Sequence, residues 1–441
     1  DLGGDGENLF LDIARDALAV SRLAPTMLNL IDERSMTWLY EDLERPLISV
    51  LSRMEDIGVG VDVKELTRMR DHLVSEVQRL EAVIHGIAGR EFNVNSTKQL
   101  REVLFDELGL TPQKKTKTGY STDAASLEKI RDQHEVVGLL LEYREVEKLR
   151  STYGQGLLEV TDPDGRIRAT FNQTVARTGR LSSEDPNLHN IPVRTPLGRE
   201  FRKAFVPQSG YDFLVADYNQ IELRVIAHLA EDPGLIEAFE EGQDIHNATA
   251  ASIFGVDLEK VNVEQRSRAK MVSYGLAYGM EAYGLGQRLG IDTSEASEIL
   301  DAYFAAFPAV RSFMDDVVKK TKEVGYTETI FGRRRPIPEL AASNFRVRQA
   351  AERQAMNAPI QGLAADIFKI ALVGIDRSLT EMEAQSRLVL QVHDEVILEV
   401  HPDEYQDVQQ MTVEQMSGAA DLRVPLEVNL ATGPTWAQAK A

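Results

Sequence analysis

The sequence predicts an α+β fold: a helical arm, a strand-rich half-core, a helical insert, and a second strand-rich stretch that completes the core. Three observations carry this. Apolar residues recur at helical spacing over much of the first 153 of the 441 residues. Two β-type segments, FLVADYNQIELR and LVLQVHDEVILEV, place Asp217 and Asp394 177 positions apart. The stretch between them is mostly helical, broken by glycine and proline. An insert of this kind between two halves of one sheet would bring the two aspartates together.

Residues 9–57 read as helices with breaks at Pro25 and Pro46. From Asp62, a suitable cap, Val63, Leu66, Met69, Leu73, Val77, Leu80 and Ile84 mark an amphipathic helix to about Ala88. NVNSTKQL then opens with a Ser-x-x-Gln cap signature and leads through Pro112 into the lysine loop QKKTKTGYST. Ser126 to Tyr153 is helical again.

Near Asp162 the texture changes. TDPDGR is a turn, IRATF is β-like, and RTGRLSSEDPNLHNIPVRTPLG is loop-rich. A buried strand over Phe213 to Ala216 ends at Asp217, and Ile221 to Ala230 continues as a helix. Residues 232–345 are helical, with the basic loop FGRRRPIP near their end. Phe345 to Leu372 is helical with an interruption near Pro359. The tail holds a hairpin with His393, Asp394 and Glu395 at its turn, a helix around 402–417, and VPLEVNL.

An apolar run, acids in a turn and a second apolar run lift carboxylates to a hairpin tip. Acids on rigid strands rarely stabilise a fold, because their desolvation is costly unless a cation or donor lies between them. Hard oxygen ligands suit Mg²⁺, which takes one or two carboxylates plus substrate phosphates. Phosphoryl transfer is the chemistry indicated.

The chain has no cysteine, which excludes disulfides, thiolate zinc sites and cysteine nucleophiles, and suits a reducing cytoplasm. No apolar run approaches a membrane span. The start, DLGGDGENLF, has neither signal-peptide features nor an initiator Met, so the chain reads as part of something longer. A net charge of −21 argues against a polyanionic partner only until its distribution is inspected. Arg177, Arg180, Arg194, Arg199, Arg202 and Lys203 cluster in residues 177–203. Arg333, Arg334, Arg335, Arg346, Arg348 and Arg353 cluster in residues 331–353, and Lys114, Lys115 and Lys117 form a third spot. Three basic patches on an acidic chain suit a positively lined groove.

In QRSRAKMVSYGLAYGM, Arg266, Lys270, Tyr274 and Tyr278 recur every fourth residue. On a helix they drift by only about 120° over roughly 18 Å, so they share one broad face. Two cations followed by two aromatics match the order of phosphates, sugar and base in a nucleoside triphosphate.

From roughly residue 40 to its end the chain resembles the polymerase portion of bacterial A-family DNA polymerases of the polymerase I type. The resemblance rests on DYxQIELR, Rx₃Kx₃[FY]Gx₂YG and QVHDE in that order, flanked by ARTGRLSS (176–183) and NAPIQGLAAD (357–366). It implies a right-hand architecture with an antiparallel palm sheet: a helical remnant at 1–40, thumb 41–165, first palm part 166–227, fingers 228–340 and second palm part 341–441. It implies a template-directed DNA polymerase, a nucleotidyltransferase of replication and repair. The enzyme would act as a cytoplasmic, nucleoid-associated monomer on primer–template DNA and dNTPs, with no membrane partner.

By the same resemblance, Asp217, Asp394 and the Tyr218 carbonyl would hold two Mg²⁺ ions, with Mn²⁺ able to substitute. Glu395 corresponds to a secondary acid near the primer end and His393 to a primer-terminus contact. Arg266 and Lys270 would grip the triphosphate, with Lys270 the proton donor to pyrophosphate. His246 corresponds to a phosphate contact, Gln220 to a nucleotide-pocket residue, and Glu222 to the group that closes the space beside the sugar. Tyr274 would replace the hydrogen bond of a missing 3′-hydroxyl, and Tyr278 would stack near the template base. Arg180, Arg353, Asn357 and Gln361 correspond to minor-groove contacts, and the three lysines to further DNA contacts. Asn219 and His189 depart from the family's usual Ser and Gln, and the terminus ATGPTWAQAK matches only loosely. Neither a proofreading exonuclease nor a 5′ nuclease is expected within this chain. A primer–template-binding module without catalysis and a Mg²⁺-dependent nuclease are the competing readings. The joint presence of both aspartates, Arg266, Lys270 and Tyr278 argues against the first, and the Arg/Lys/Tyr helix and Glu222 argue against the second.

Overall fold

The structure, a computed structural model, describes residues 5–117, 119–191, 196–277 and 279–440. Tyr278 and Arg194 lie outside the described residues. The chain divides into two compact units. One comprises residues 1–54, 171–182 and 215–430; the other comprises 55–170, 183–214 and 431–441.

In the second unit the helix Val63–Ala88 starts where the sequence expects it. The Asp62 carboxylate accepts from the N–H groups of Lys64 and Glu65, and Gly89 closes the helix with φ 71°. Leu66, Met69, Leu73, Val77, Leu80 and Ile84 are all buried along one stripe. Against it packs Glu135–Lys148, capped by His134. The expected helix over Ser126–Tyr153 is in fact divided. Ala124–Glu128 ends, a single tight turn follows, and His134 adopts an extended backbone before the next helix begins. Ser96 caps Thr97–Arg101 as its motif predicts. At the end of the chain Trp436 is fully buried, with the Arg202 guanidinium 3.9 Å above its ring, and the Trp436 backbone N–H donates to the Phe205 carbonyl at 3.1 Å. The loosely matching terminus is therefore an anchored part of the core.

The first unit holds the site. Pro25 does not break its opening helix, which runs Asp5–Glu33 with the proline inside it. Nor does Pro359 interrupt the later one, which runs Phe345–Glu381. A proline removes one backbone bond and crowds one carbonyl, and neighbouring turns can absorb that without ending the helix. Pro46 causes no break either: the π-helical turn Leu39–Glu44 runs directly into Arg45–Ile57, and the widened turn just before the proline accommodates its ring and missing N–H.

Phe345–Glu381 is also long and apolar enough to span a membrane, contrary to the expectation of no such run. Its apolar stretch is 83% buried inside the protein, the property of a core helix. Gly362 leaves room for a neighbouring side chain: a methyl group there would meet Thr329 at 2.9 Å.

A four-stranded sheet runs in the order Arg387–Val392, Glu395–Val400, Asp212–Tyr218, Val428–Gly433. The last two strands cross the division between the units. The first two form an antiparallel hairpin in which Val392 pairs with Glu395, leaving His393 and Asp394 as a two-residue turn. His393 takes φ 56°, a conformation that histidine tolerates better than most non-glycine residues. The next strand in the sheet is the one that carries Asp217.

Candidate nucleotidyl-transfer site

Two elements bring the separated acids together. Asp217 is the penultimate residue of the central strand, and Asp394 is the second residue of the hairpin turn beside it. The Tyr218 N–H donates to the Asp394 carbonyl at 3.3 Å, which places the two aspartate α-carbons within roughly 8 Å by ordinary bond lengths. Both carboxylates are partly exposed, and Tyr218 between them is buried. Its hydroxyl donates to the Met416 carbonyl at 2.7 Å, and burial together with Asp394 pushes the phenol far above its usual range. Tyr218 is therefore a neutral anchor whose backbone is fixed between the two acids.

Glu395 is 3% exposed, on the strand rather than in the solvated turn. His393 is exposed, and its carbonyl accepts from the Gln391 side chain at 2.6 Å. Among the described residues, no three His, Cys, Asp or Glu side chains converge on one metal-binding point. The donors expected from the sequence are two acids and a backbone carbonyl. That set does not make a closed protein cage, but it fits a cation that takes its remaining oxygens from phosphates and water.

Asn219, the departure from the family pattern, has a local role. Its N–H donates to the Glu427 carbonyl at 2.9 Å and its side-chain amide to the Glu427 carboxylate at 3.1 Å. Arg224, 2% exposed, pairs with the same carboxylate at 2.6 Å. These contacts fix the turn that follows Asp217. Gln220 then enters the helix Ile221–Ala230 with φ 56°. Two residues on, in the first turn of that helix, Glu222 is 3% exposed, and its carboxylate accepts from Arg180 at 2.6 Å. The same Arg180 nitrogen lies 3.6 Å from Asp394.

The insert supplies the cations. Arg266, Lys270 and Tyr274 lie on the helix Val263–Ala277, with the Lys270 ammonium 6.0 Å from the Tyr274 ring centre. Arg266 is paired with Asp244 at 2.7 Å. His246 is buried 5.6 Å from the Tyr274 ring. Burial first, then Lys270, lowers its pKa to about 4 against the opposing pull of Asp244, so the imidazole is neutral at pH 7.

Arg353 pairs with Glu281 at 2.9 Å, Asn357 is buried and Gln361 half-buried along the core helix. Gly279, with φ 67°, lets the chain pass so close to Asn357 that a methyl group there would lie 2.5 Å from its amide. The lysines belong to the other unit, on an exposed hairpin of Lys115–Thr116 with Gly119–Tyr120.

Sequence reasoning missed Asp244 and a buried charge network under the site. Arg333 donates to Asp366 at 2.5 Å and also pairs with Glu44, and Lys369 donates to Glu44 at 2.8 Å. Asp366 and Lys369 are almost wholly buried. Arg333 also lies against Gly179, whose φ of 83° and lack of a side chain admit it, next to Arg180. The DIHN cap pattern was a readable signal for Asp244; nothing local marked the network.

The model of DNA polymerase family A matches residues 63–438. DNA polymerase I of Bacillus subtilis (strain 168) is 47% identical over 97% of the chain and 49% of its own length. DNA polymerase I of Geobacillus stearothermophilus is 48% identical over 99% of the chain and 50% of its own length. The chain thus spans about half the length of these curated relatives. A solved structure, the POL domain of Pol1 from M. smegmatis in complex with DNA primer-template and dNTP, superposes with a TM-score of 0.92. It is 44% identical, covering 96% of this chain and 75% of that one.

Proposed function

This chain belongs to DNA polymerase family A, and on that premise we propose that it extends a primer 3′-hydroxyl on a DNA template by nucleotidyl transfer from dNTPs. The observation that supports this best is the adjacency of Asp217 and Asp394, tied by the Tyr218 N–H. Two Mg²⁺ or Mn²⁺ ions held by Asp217, Asp394 and the Tyr218 carbonyl would, when bound, activate the 3′-hydroxyl and neutralise charge on departing pyrophosphate.

The protein's own groups do the rest. Arg266 and Lys270 bind the triphosphate, and Lys270 hands a proton to the leaving pyrophosphate. His246, neutral at pH 7, contacts a phosphate as a hydrogen-bond donor without adding charge. Gln220 and Glu222 bound the sugar, so a 2′-hydroxyl meets the buried Glu222 side chain. Tyr274 hydrogen-bonds where the sugar's 3′-hydroxyl lies, and Tyr278 stacks near the template base. Glu395 and His393 act at the primer end. Arg180, Arg353, Asn357 and Gln361 read minor-groove acceptors shared by all base pairs. Lys114, Lys115 and Lys117 add phosphate contacts that carry no sequence information.

The division of labour is thumb 41–165, palm 166–227 and 341–441, and fingers 228–340, in a monomer of the bacterial cytoplasm. The M. smegmatis relative, bound to primer-template and dNTP, supports the partner assignment. Extension of a labelled primer on a template with dNTPs and Mg²⁺ tests the reading. Wild type should extend it, and Asp217→Ala and Asp394→Ala should each lose on the order of 10³-fold or more in rate. An unchanged primer with wild type would overturn the proposal, and a shortened one would point to a nuclease.

A further inference from the structure

Asp244 has no role in the reading above, yet one of its oxygens caps a helix and the other holds a triphosphate cation. It is the N-cap of the helix Ile245–Phe254, where Oδ1 accepts from the N–H groups of His246 at 2.9 Å and Asn247 at 3.1 Å. Oδ2 accepts from Arg266 Nη2 at 2.7 Å and Nε at 3.2 Å. One carboxylate thus ties the start of one insert helix to a side chain of the next.

Stability does not explain the second contact. The two side chains are 42% and 38% exposed, and exposed ion pairs contribute little to folding. Geometry suggests another use. A guanidinium has five N–H groups in a rigid fork, and Asp244 takes only the Nε/Nη2 edge. The end-on Nη1/Nη2 edge remains for phosphate oxygens. A long side chain loses rotamer freedom when it grips a ligand, and ordering it beforehand removes that cost from binding. The carboxylate is ionised at any working pH. Burial opposes this, but Arg266 and the backbone N–H groups outweigh it and hold the acid below its usual range.

We propose that Asp244 is a positioning residue for the nucleotide: it grips Arg266 by its Nε/Nη2 edge so that the adjoining end-on Nη1/Nη2 edge faces the triphosphate. The inference rests on the reading of Arg266 as a triphosphate ligand and names the group that aims it.

The test is single-nucleotide incorporation by Asp244→Asn, Arg266→Ala and the double variant. Asparagine caps a helix as well as aspartate does, so the thermal midpoint should be unchanged. The dNTP KM of Asp244→Asn should rise roughly tenfold with kcat within about twofold, the pattern of lost binding rather than lost chemistry. On the Arg266→Ala background the same change should add less than about twofold, because the two residues act as one unit. An unaltered KM in Asp244→Asn, beside a raised KM in Arg266→Ala, would overturn the inference and leave Arg266's role intact. A full tenfold rise on the Arg266→Ala background would overturn it too, since Asp244 would then act independently. If Arg266→Ala itself leaves KM unchanged, the triphosphate reading of Arg266 falls and this inference falls with it.

Discussion

Arg180 donates to Glu222 at 2.6 Å, and the same nitrogen lies 3.6 Å from Asp394. One guanidinium therefore joins the acid proposed to close the sugar side of the nucleotide pocket to an acid proposed to hold metal. The pair is largely desolvated, with Glu222 almost fully buried. A buried carboxylate of this kind is costly without its partner, so the two residues are coupled in stability as well as position.

Glu222→Ala should admit ribonucleotides. Removing one blocking contact changes discrimination by about 10- to 200-fold, which incorporation of rNTP against dNTP will measure. A ratio equal to wild type would remove Glu222 from that role. Glu222→Gln keeps the side chain's bulk but removes its charge, so it should preserve much of the exclusion while weakening the hold on Arg180.

Tyr274→Phe should lower dideoxynucleotide incorporation while leaving dNTP incorporation nearly unchanged. The hydroxyl is the only group lost, and it is proposed to supply the hydrogen bond that a dideoxy sugar cannot make. Competition between ddNTP and dNTP on a running-start template measures this. Equal termination by both proteins would count against the assignment.

His246 makes stability depend on pH. Its folded pKa is lowered from 6.5 to about 4, chiefly by burial, so the unfolded chain binds the proton more readily. Its contribution is fully present above about pH 6.5 and declines as pH falls towards 4. Urea unfolding between pH 7 and 4.5 should show wild type losing more stability than His246→Gln. Parallel slopes for the two proteins would contradict the buried neutral imidazole.

Asp366→Ala should destabilise the protein by about 3–5 kcal/mol, because it strips Arg333 of a buried partner. Thr329, whose hydroxyl also donates to Asp366 at 2.7 Å, would lose its acceptor as well. Chemical denaturation of wild type and variant measures the difference. A loss below about 1 kcal/mol would mean that the network contributes little, since ordinary surface changes stay within ~0.5 kcal/mol.

Features resting on short-range chemistry were legible in advance. Asp62 and Ser96 cap the helices assigned to them, and the apolar runs mark the hairpin that lifts His393 and Asp394, although Glu395, expected in the turn, pairs with Val392 on the strand. The helix Ile221–Ala230 has the bounds its pattern predicts. Pro25 and Pro359 misled, because a proline's local penalty says nothing of the packing that outweighs it.

The sequence by itself determined the order of elements, the hairpin that lifts Asp394 and the insert face carrying Arg266, Lys270 and Tyr274. Each depends on periodicity or a cap that a few neighbouring residues define. Only the tertiary structure decided which charges are desolvated and by whom they are neutralised. Glu44 meets Arg333 and Lys369 across 289 and 325 positions, Glu222 meets Arg180 across 42, and Arg266 meets Asp244 across 22. An ionisable residue reads the same in a sequence whether water or a buried counter-charge surrounds it; folding alone removes the water and selects the partner.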